Sequence, residues 1–169
     1  MRHAGYSFRD ALCELIDNSF WHGNAKNIKI DCTMLAETSS NDRRHFDEVF
    51  VADDGDGMDY DTLSTSPQIG KSTSYNSSST FGRFGYGMIA GAISQCQTVE
   101  IYSKQKDGDW NYLYYNILEI AQEGKDIELP TRNKTAPEKY LKNITDSGTI
   151  VIWSGFDIGE TYDMDFQAW

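Results

Sequence analysis

The chain has 169 residues, of which 39% are hydrophobic and 24% charged; this composition argues against global disorder and predicts one domain spanning residues 1–169. Asp and Glu outnumber Lys and Arg by 26 to 15, so the net charge of -11 disfavours contact with nucleic acid except through other domains. The three cysteines form no CxxC motif, so we expect a reduced, cytoplasmic protein. No apolar run has the roughly 20 residues of a membrane helix, so we expect no membrane partner.

The first predicted elements are an amphipathic helix and two strands. Apolar residues recur at three- and four-residue steps over residues 7–20, which predicts a helix capped by Ser7 and ended by Gly23 and Asn24. Alternating apolar and polar residues over 27–32 and the apolar run 49–52 predict two strands. The polar segment 37–47 between them predicts a hairpin connection or a surface insertion. Because the helix begins almost at once and the chain ends without a tail, we expect a domain excised from a longer protein.

The rest of the chain continues this mixture of helices and strands. A short helix is predicted at residues 59–64. The Ser-rich segment 72–80 predicts a lid that a ligand would order. The small residues of 88–93 predict a helix that lies close to a sheet. Three further strands are predicted at 98–104, 110–116 and 149–153. The fold class is therefore α+β, with helices layered on one face of a sheet.

Glu14 and Asn18 are four residues apart, so a helix places both side chains on one face. An amide oxygen there can coordinate Mg²⁺ while the carboxylate orients or deprotonates an attacking water. By itself the spacing is more often a solvated polar helix face. The functional interpretation therefore depends on the motifs that follow.

An acidic, glycine-rich turn follows the second predicted strand, with the sequence Asp53, Asp54, Gly55, Asp56, Gly57 and Met58. The Asp53 carboxylate suits the exocyclic amino group of adenine, Met58 offers an apolar wall, and Gly55 and Gly57 allow backbone to approach a flat ring. The alternative is an acidic turn that is solvated or binds Ca²⁺. An EF-hand loop begun at Asp54 fails, because Met58 falls where an acidic ligand belongs.

A second glycine-rich loop precedes the predicted helix 88–93, with the sequence Gly82, Arg83, Phe84, Gly85, Tyr86 and Gly87. Its N–H groups and the positive helix end predict a phosphate cradle. A P-loop is excluded because Thr65 stands where its first glycine should be, and the GxGxxG order is absent. Lys71 precedes the lid and can reach phosphates, although Lys71 and Arg83 are also consistent with ordinary surface residues.

Taken in this order, the motifs resemble those of the GHKL superfamily of gyrase, heat-shock chaperone, histidine kinase and MutL, whose nucleotide-binding unit is the Bergerat fold. Segments 14–18, 53–58, 82–87 and 147–151 resemble its four boxes, and 82–87 is most similar to the Microrchidia-like ATPases. The similarity spans about residues 7–154. The resemblance implies a Bergerat-type α/β sandwich: a mixed, mostly antiparallel sheet with helices on one face and the nucleotide beneath a mobile lid.

The resemblance also implies a role for individual residues: Glu14 as general base, Asn18 as Mg²⁺ ligand, Asp53 as the residue that recognises adenine, and Thr149 as support for the adenine pocket. The glycines implied to line the pocket are Gly55, Gly57, Gly82, Gly85 and Gly87. The implied cofactors are ATP and Mg²⁺.

The implied activity is Mg²⁺-dependent ATP hydrolysis, in which ATP orders the lid 72–80 and promotes homodimerisation. Related hydrolytic domains take a further lysine from a following transducer domain, so hydrolysis by this chain alone stays open. Two other functions also stay open. One is phosphotransfer of the histidine-kinase kind, for which His3, His22 and His45 lack a dimerising helix. The other is a nucleotide-binding interaction module that does not hydrolyse ATP.

Overall fold

The computed structural model describes residues 7–35, 46–66, 91–92, 94–123, 128–142 and 144–156. The helices are α1 (Phe8–Asp17), which continues into a π-helical turn (Asn18–His22), α2 (Tyr60–Thr65), α3 (Ile117–Glu123) and α4 (Glu138–Leu141). The strands are β1 (Ile28–Met34), β2 (Phe46–Asp53), β3 (Cys96–Lys104), β4 (Asn111–Asn116), β5 (Thr131–Arg132) and β6 (Gly148–Phe156). Gly91, Ala92, Ser94 and Gln95 are also helical and lead directly into β3.

The six strands form one sheet in the order β1-β2-β6-β3-β4-β5, and every described pairing is antiparallel. The α+β class with helices packed on a sheet is therefore confirmed, and the sheet that was expected to be mixed and mostly antiparallel is antiparallel at every described pairing. The last of the described strands, β6, lies between β2 and β3. The end of β2 is thereby placed next to the start of β6.

Helix α1 begins with a reciprocal cap, as its sequence predicts. The Ser7 hydroxyl oxygen accepts a hydrogen bond from the Asp10 N–H at 3.1 Å, and the Asp10 carboxylate accepts one from the Ser7 N–H at 3.2 Å. The helix buries a stripe against the sheet, formed by Phe8, Ala11, Leu12 and Leu15. From Asn18 it widens into the π-helical turn, in which the Gly23 N–H donates to the Asn18 carbonyl at 3.0 Å, and the helical segment ends at Gly23 as predicted.

The main hydrophobic core lies between the sheet and helices α1, α2 and α3. Trp153 on β6 lies at the centre of this core and is 1% exposed. The Phe8 ring packs edge-on against the Trp153 ring at a centroid distance of 6.1 Å. Leu63 of α2 is fully buried in this core and Ile120 of α3 packs on its edge. Burial of such apolar groups is the main stabilising contribution to the fold.

The other face of the sheet carries a smaller core under α4, which the sequence analysis did not predict. Its buried members are Ala52, Tyr102, Tyr112, Ala136, Tyr140, Ile150 and Ile152. The Phe50 and Tyr140 rings pack edge-to-face at 5.0 Å, so α4 adds cover to that face. We call the face under α1 the first face and the face under α4 the second.

Several predicted segments lie outside the described residues. They are the lid 72–80, Lys71, the glycine loop 82–87 and the first part of the predicted helix 88–93. No helix in the described part of the chain combines the length and apolar character needed to span a bilayer.

Candidate functional site

Four polar residues form a row across the first face of the sheet, which we call the polar row. Asp53 on β2 is paired with Thr149 on β6, Thr149 with Ser103 on β3, and Ser103 with Asn111 on β4. The next row on the same face, two residues further along each strand, is apolar and belongs to the main core. Its members are Val51, Val151, Ile101 and Leu113. The polar row therefore borders the core where β2 ends and β6 begins.

The Asp53 carboxylate is the one ionisable group of the polar row and is held by three hydrogen bonds. Asp53 is only 6% exposed, yet its Oδ1 accepts hydrogen bonds from the N–H groups of Gly55 at 3.0 Å and Thr149 at 3.2 Å. Its Oδ2 accepts the Ser19 hydroxyl at 2.8 Å. A carboxylate has about four acceptor positions, and three are filled here, so one position on Oδ2 accepts no hydrogen bond from the described part of the chain.

Burial raises the pKa of the Asp53 carboxyl above its ordinary value, and the hydrogen bonds from Ser19, Gly55 and Thr149 oppose that rise. The neighbouring carboxylate of Asp54 adds to the rise. The group is therefore a strong, desolvated acceptor for any donor that reaches Oδ2.

The two other acidic residues of the turn, Asp54 and Asp56, hold it in place. Asp54 accepts the N–H groups of Lys26 and Asn27, each at 2.8 Å, and these hydrogen bonds, with that of the Asn27 amide, lower the pKa of its carboxyl. The Asp56 N–H donates to the Gly23 carbonyl at 2.6 Å. Both acidic residues therefore fasten the turn to the segment between the π-helical turn and β1.

The glycines predicted to line the pocket have a packing role of their own. A Cβ on Gly55 would lie 2.3 Å from the Gly23 carbonyl oxygen. Gly57 has a φ of 69° and a Cβ there would lie 2.0 Å from the Lys104 carbonyl oxygen. Both positions require glycine whether or not a ligand is bound, because backbone occupies the space of a side chain.

Met58 connects the turn to the far end of the polar row. Its N–H donates to the Ser103 hydroxyl at 2.7 Å, and its carbonyl accepts the Asn111 amide at 3.4 Å. The Ser103 and Thr149 hydroxyls are 2.8 Å apart and share a hydrogen bond. The half-buried Met58 packs on the main core, so the turn from Asp53 to Met58 is fastened at both ends.

Ser19, Ser103 and Asn111 were missed as site residues by the sequence analysis. Ser19 lies in the π-helical turn, where it continues the buried stripe of α1, and the other two occupy inward-facing positions of strands. All three are buried polar residues, which normally need internal partners. A polar residue at a predicted core position was the available signal.

Glu14 and Asn18 lie one turn apart at the boundary of the buried stripe of α1, and both are half-buried. Burial, and to a smaller extent the Asp17 carboxylate, raise the pKa of the Glu14 carboxyl. Within the described ranges no side chain or backbone group donates a hydrogen bond to the Glu14 carboxylate. A Cβ on Gly91 would lie 3.2 Å from the Ala11 Cα. The helical residues Gly91 and Ala92, which come before β3, therefore pack on α1 about one turn from Glu14.

A family model described as histidine kinase-, DNA gyrase B- and HSP90-like ATPase matches residues 6–149. The chain belongs to this ATPase family. A comparison with curated proteins finds no relative. The match spans the whole polar row and ends at Thr149, opposite Asp53. Membership of the ATPase family confirms the superfamily resemblance and supports ATP binding in general.

The predicted site residues of this ATPase domain fall into three groups. The structure brings Asp53, Gly55, Met58 and Thr149 together through hydrogen bonds. Glu14 lies on α1, Asn18 begins the π-helical turn that continues it, and Gly57 packs on Lys104. The remaining predicted residues lie outside the described part of the chain: Lys71, Gly82, Arg83, Phe84, Gly85, Tyr86 and Gly87. Their roles, and the ligand roles of the described residues, stay predictions.

Proposed function

We propose that this domain binds ATP together with Mg²⁺ and hydrolyses it, and that Asp53 recognises the adenine base. The observation that supports this most directly is the Asp53 carboxylate, which is buried, held by three hydrogen bonds and left with one acceptor position. The adenine amino group is a donor that fits this position. Thr149 supports the pocket by fixing Oδ1 through its N–H.

The same chemistry favours adenine over guanine. Guanine presents a carbonyl oxygen where adenine presents its amino group, so two acceptors would face each other at Oδ2. A buried acceptor that pairs with a hydrogen-bond donor of the correct ligand is left unpaired by a ligand without that donor, so the second ligand binds more weakly. We therefore expect ATP to bind much more tightly than GTP.

Glu14 and Asn18 fit the chemistry of the phosphate end. Carboxylate and amide oxygens suit a hard cation, and neither side chain is engaged by an internal hydrogen bond in the described structure. Mg²⁺, when bound, supplies positive charge that neutralises the phosphates. In the proposal Asn18 is its protein ligand, and Glu14, with a pKa raised by burial, orients or deprotonates the attacking water.

The rest of the proposal concerns segments beyond the described residues. The loop 82–87 cradles the phosphates with Arg83, Lys71 approaches them, and ATP orders the lid 72–80. This ordering promotes homodimerisation in the full-length protein, whose subfamily we propose to be Microrchidia-like and whose location cytoplasmic. Any contact with nucleic acid is assigned to other domains.

The test is to measure ATP-analogue binding and ATP turnover separately. Glu14→Ala is expected to keep Mg²⁺-dependent binding of a non-hydrolysable analogue but to lose turnover, whereas Asn18→Ala should weaken the dependence of binding on Mg²⁺. Glu138→Ala is the matched control, because this exposed carboxylate lies on α4 at the second face.

Turnover at the wild-type rate in Glu14→Ala would exclude Glu14 as the base. Tight binding without any turnover, even when the full-length protein is used, would favour a non-hydrolysing interaction module. A stable phosphohistidine after incubation with labelled ATP would favour phosphotransfer of the histidine-kinase kind.

A further inference from the structure

Strand β1 forms an edge of the sheet. Among the described strands it pairs only with β2. Its side chains are largely exposed: Ile30 is 38% exposed, and the side chains of Lys29 and Asp31 are 44% and 54% exposed. A free strand edge presents unpaired N–H and C=O groups and can accept another strand.

The pairing with β2 shows which backbone groups of β1 face outward. The Asp54 N–H donates to the Asn27 carbonyl at 3.2 Å, and this pair continues the register in which Ile28 lies opposite Asp53. Hydrogen-bonding direction alternates along an antiparallel strand, so Lys29 and Asp31 also face β2, and the backbone groups of Ile28, Ile30 and Cys32 face the free edge. Consistently, the Cys32 N–H donates at 2.9 Å to the Asp31 carboxylate and not to β2.

The order of charges along this edge is self-complementary. If a second copy of the strand is laid antiparallel with the two Ile30 residues opposite each other, the outward groups of both Ile30 residues exchange hydrogen bonds. Lys29 then lies opposite the partner subunit's Asp31, and Asp31 lies opposite the partner subunit's Lys29. Within one strand the Lys29 ammonium already lies 3.6 Å from the Asp31 carboxylate. The cross-strand pairs fall at the non-hydrogen-bonded positions, where side chains are closest, so the dimer adds two ion pairs across the two-fold axis to the pair within each strand.

We propose that the free edge of β1 is a homodimer interface, in which two copies of the chain join their sheets by antiparallel pairing centred on Ile30. The interface needs no nucleotide and is separate from the proposed ATP-dependent dimerisation. Such an isologous contact is closed, so it stops at two copies. The paired segment is short and each chain carries a net charge of -11, so we expect dissociation constants of about 1–100 µM.

The test uses the complete 169-residue chain without nucleotide, in sedimentation experiments between about 1 and 200 µM. Lys29→Asp places two carboxylates opposite each other at both positions, and Asp31→Lys places two ammonium groups there. Each single variant is expected to raise the dissociation constant at least ~10-fold. The neighbours on β2, Ala52 and Phe50, are uncharged, so neither change opposes a charge directly across β2.

Mixing the two single variants provides a positive test that misfolding cannot imitate. A chain with two acidic residues and a chain with two basic residues are complementary, so the mixture should form a heterodimer more tightly than either single variant forms a homodimer. The double variant Lys29→Asp/Asp31→Lys should dimerise again. Lys106→Asp is the matched charge control, because Lys106 is exposed in the β3–β4 turn, and it should dimerise like the wild type.

Three results would overturn the proposal. They are a wild-type chain that stays monomeric over the whole concentration range, single variants that dimerise as well as the wild type, and a mixture of single variants that forms no heterodimer. The first result would also be obtained if the edge accepts a strand from a different protein. None of these outcomes depends on ATP binding or hydrolysis.

Discussion

Replacing Asp53 by asparagine separates the internal role of this carboxylate from its contact with a ligand. The asparagine oxygen can still accept the N–H groups of Gly55 and Thr149, which now contact Oδ1 at 3.0 and 3.2 Å. The new NH₂ group would face the Ser19 hydroxyl, which can turn to donate to the Leu15 carbonyl, 3.1 Å away, and accept from the amide. Every internal hydrogen bond thus has a replacement.

The expected effect on stability is small for this reason. The variant loses the charge assistance of three hydrogen bonds but no longer buries a charge, and burial is the larger influence on the pKa of Asp53. We expect the free energy of unfolding at neutral pH to change by less than about 1 kcal/mol. The pKa of the Asp53 carboxyl is higher in the folded chain than its ordinary 3.8, so folding favours the protonated form. The stability that this group contributes is therefore fully present below pH 3.8 and is lost as the pH rises through the folded pKa. The variant should therefore gain stability relative to the wild type as the pH rises above 3.8.

The effect on binding should be large. The second N–H of the new amide would occupy the acceptor position that the adenine amino group needs, so a donor would face a donor. Losing such a bond to a charged acceptor and leaving the donors unpaired costs about 2–4 kcal/mol, or roughly 30- to 1000-fold in affinity. Calorimetric titration with a non-hydrolysable ATP analogue measures the affinity, and urea unfolding followed by circular dichroism measures the stability. Wild-type affinity in a folded variant would refute the assignment of Asp53 to adenine, and an unfolded variant would refute the replacement of its hydrogen bonds.

Three further predictions follow from the same geometry. Because burial raises the pKa of Glu14 above its ordinary 4.5, turnover that needs its ionised form should fall at a pH above 4.5 on acidification. A pH–rate profile of single turnovers measures this fall, and any residual turnover of Glu14→Ala should not show it. Gly57→Ala should lower the free energy of unfolding by about 2–4 kcal/mol, measured by urea denaturation, because its Cβ would meet the Lys104 carbonyl and its φ is positive. Ser103→Ala should lower the free energy of unfolding by about 1–3 kcal/mol in the same assay by leaving the half-buried Met58 N–H without its acceptor. A change near zero would mean that this hydrogen bond contributes nothing.

Local patterns predicted the elements that carry the site. The capping residues and apolar spacing of α1 are readable over a few turns, and Asp53 stands out because an acidic, glycine-rich turn follows a buried strand. The apolar run 49–52 extends in the structure from Phe46 to Asp53, since Phe46 joins the main core. These features depend on neighbours close in sequence.

The polar row could not be predicted in the same way, because it depends on strand register. Ser103 meets Thr149 only because β6 pairs with β3, 46 residues away in sequence. Likewise, Ser19 meets Asp53 across 34 residues, after the π-helical turn has continued α1. Local propensity carries no information on such partners. The second core under α4 was missed for the same reason, since its tyrosines come from distant segments.

The position of β6 has a consequence for how the domain is made. A ribosome releases β1 to β4 before β6, but the released strands can form only two separate hairpins, β1-β2 and β3-β4, because their common neighbour has yet to emerge. The two hairpins join when residues 148–156 insert between them, which requires contacts over long stretches of chain and makes folding slow. The Thr149 N–H that fixes Asp53 arrives with that same strand. A nascent chain that stops before β6 therefore has the carboxylate that we propose recognises adenine but not the pocket, and nucleotide cannot assist folding until the sheet has closed.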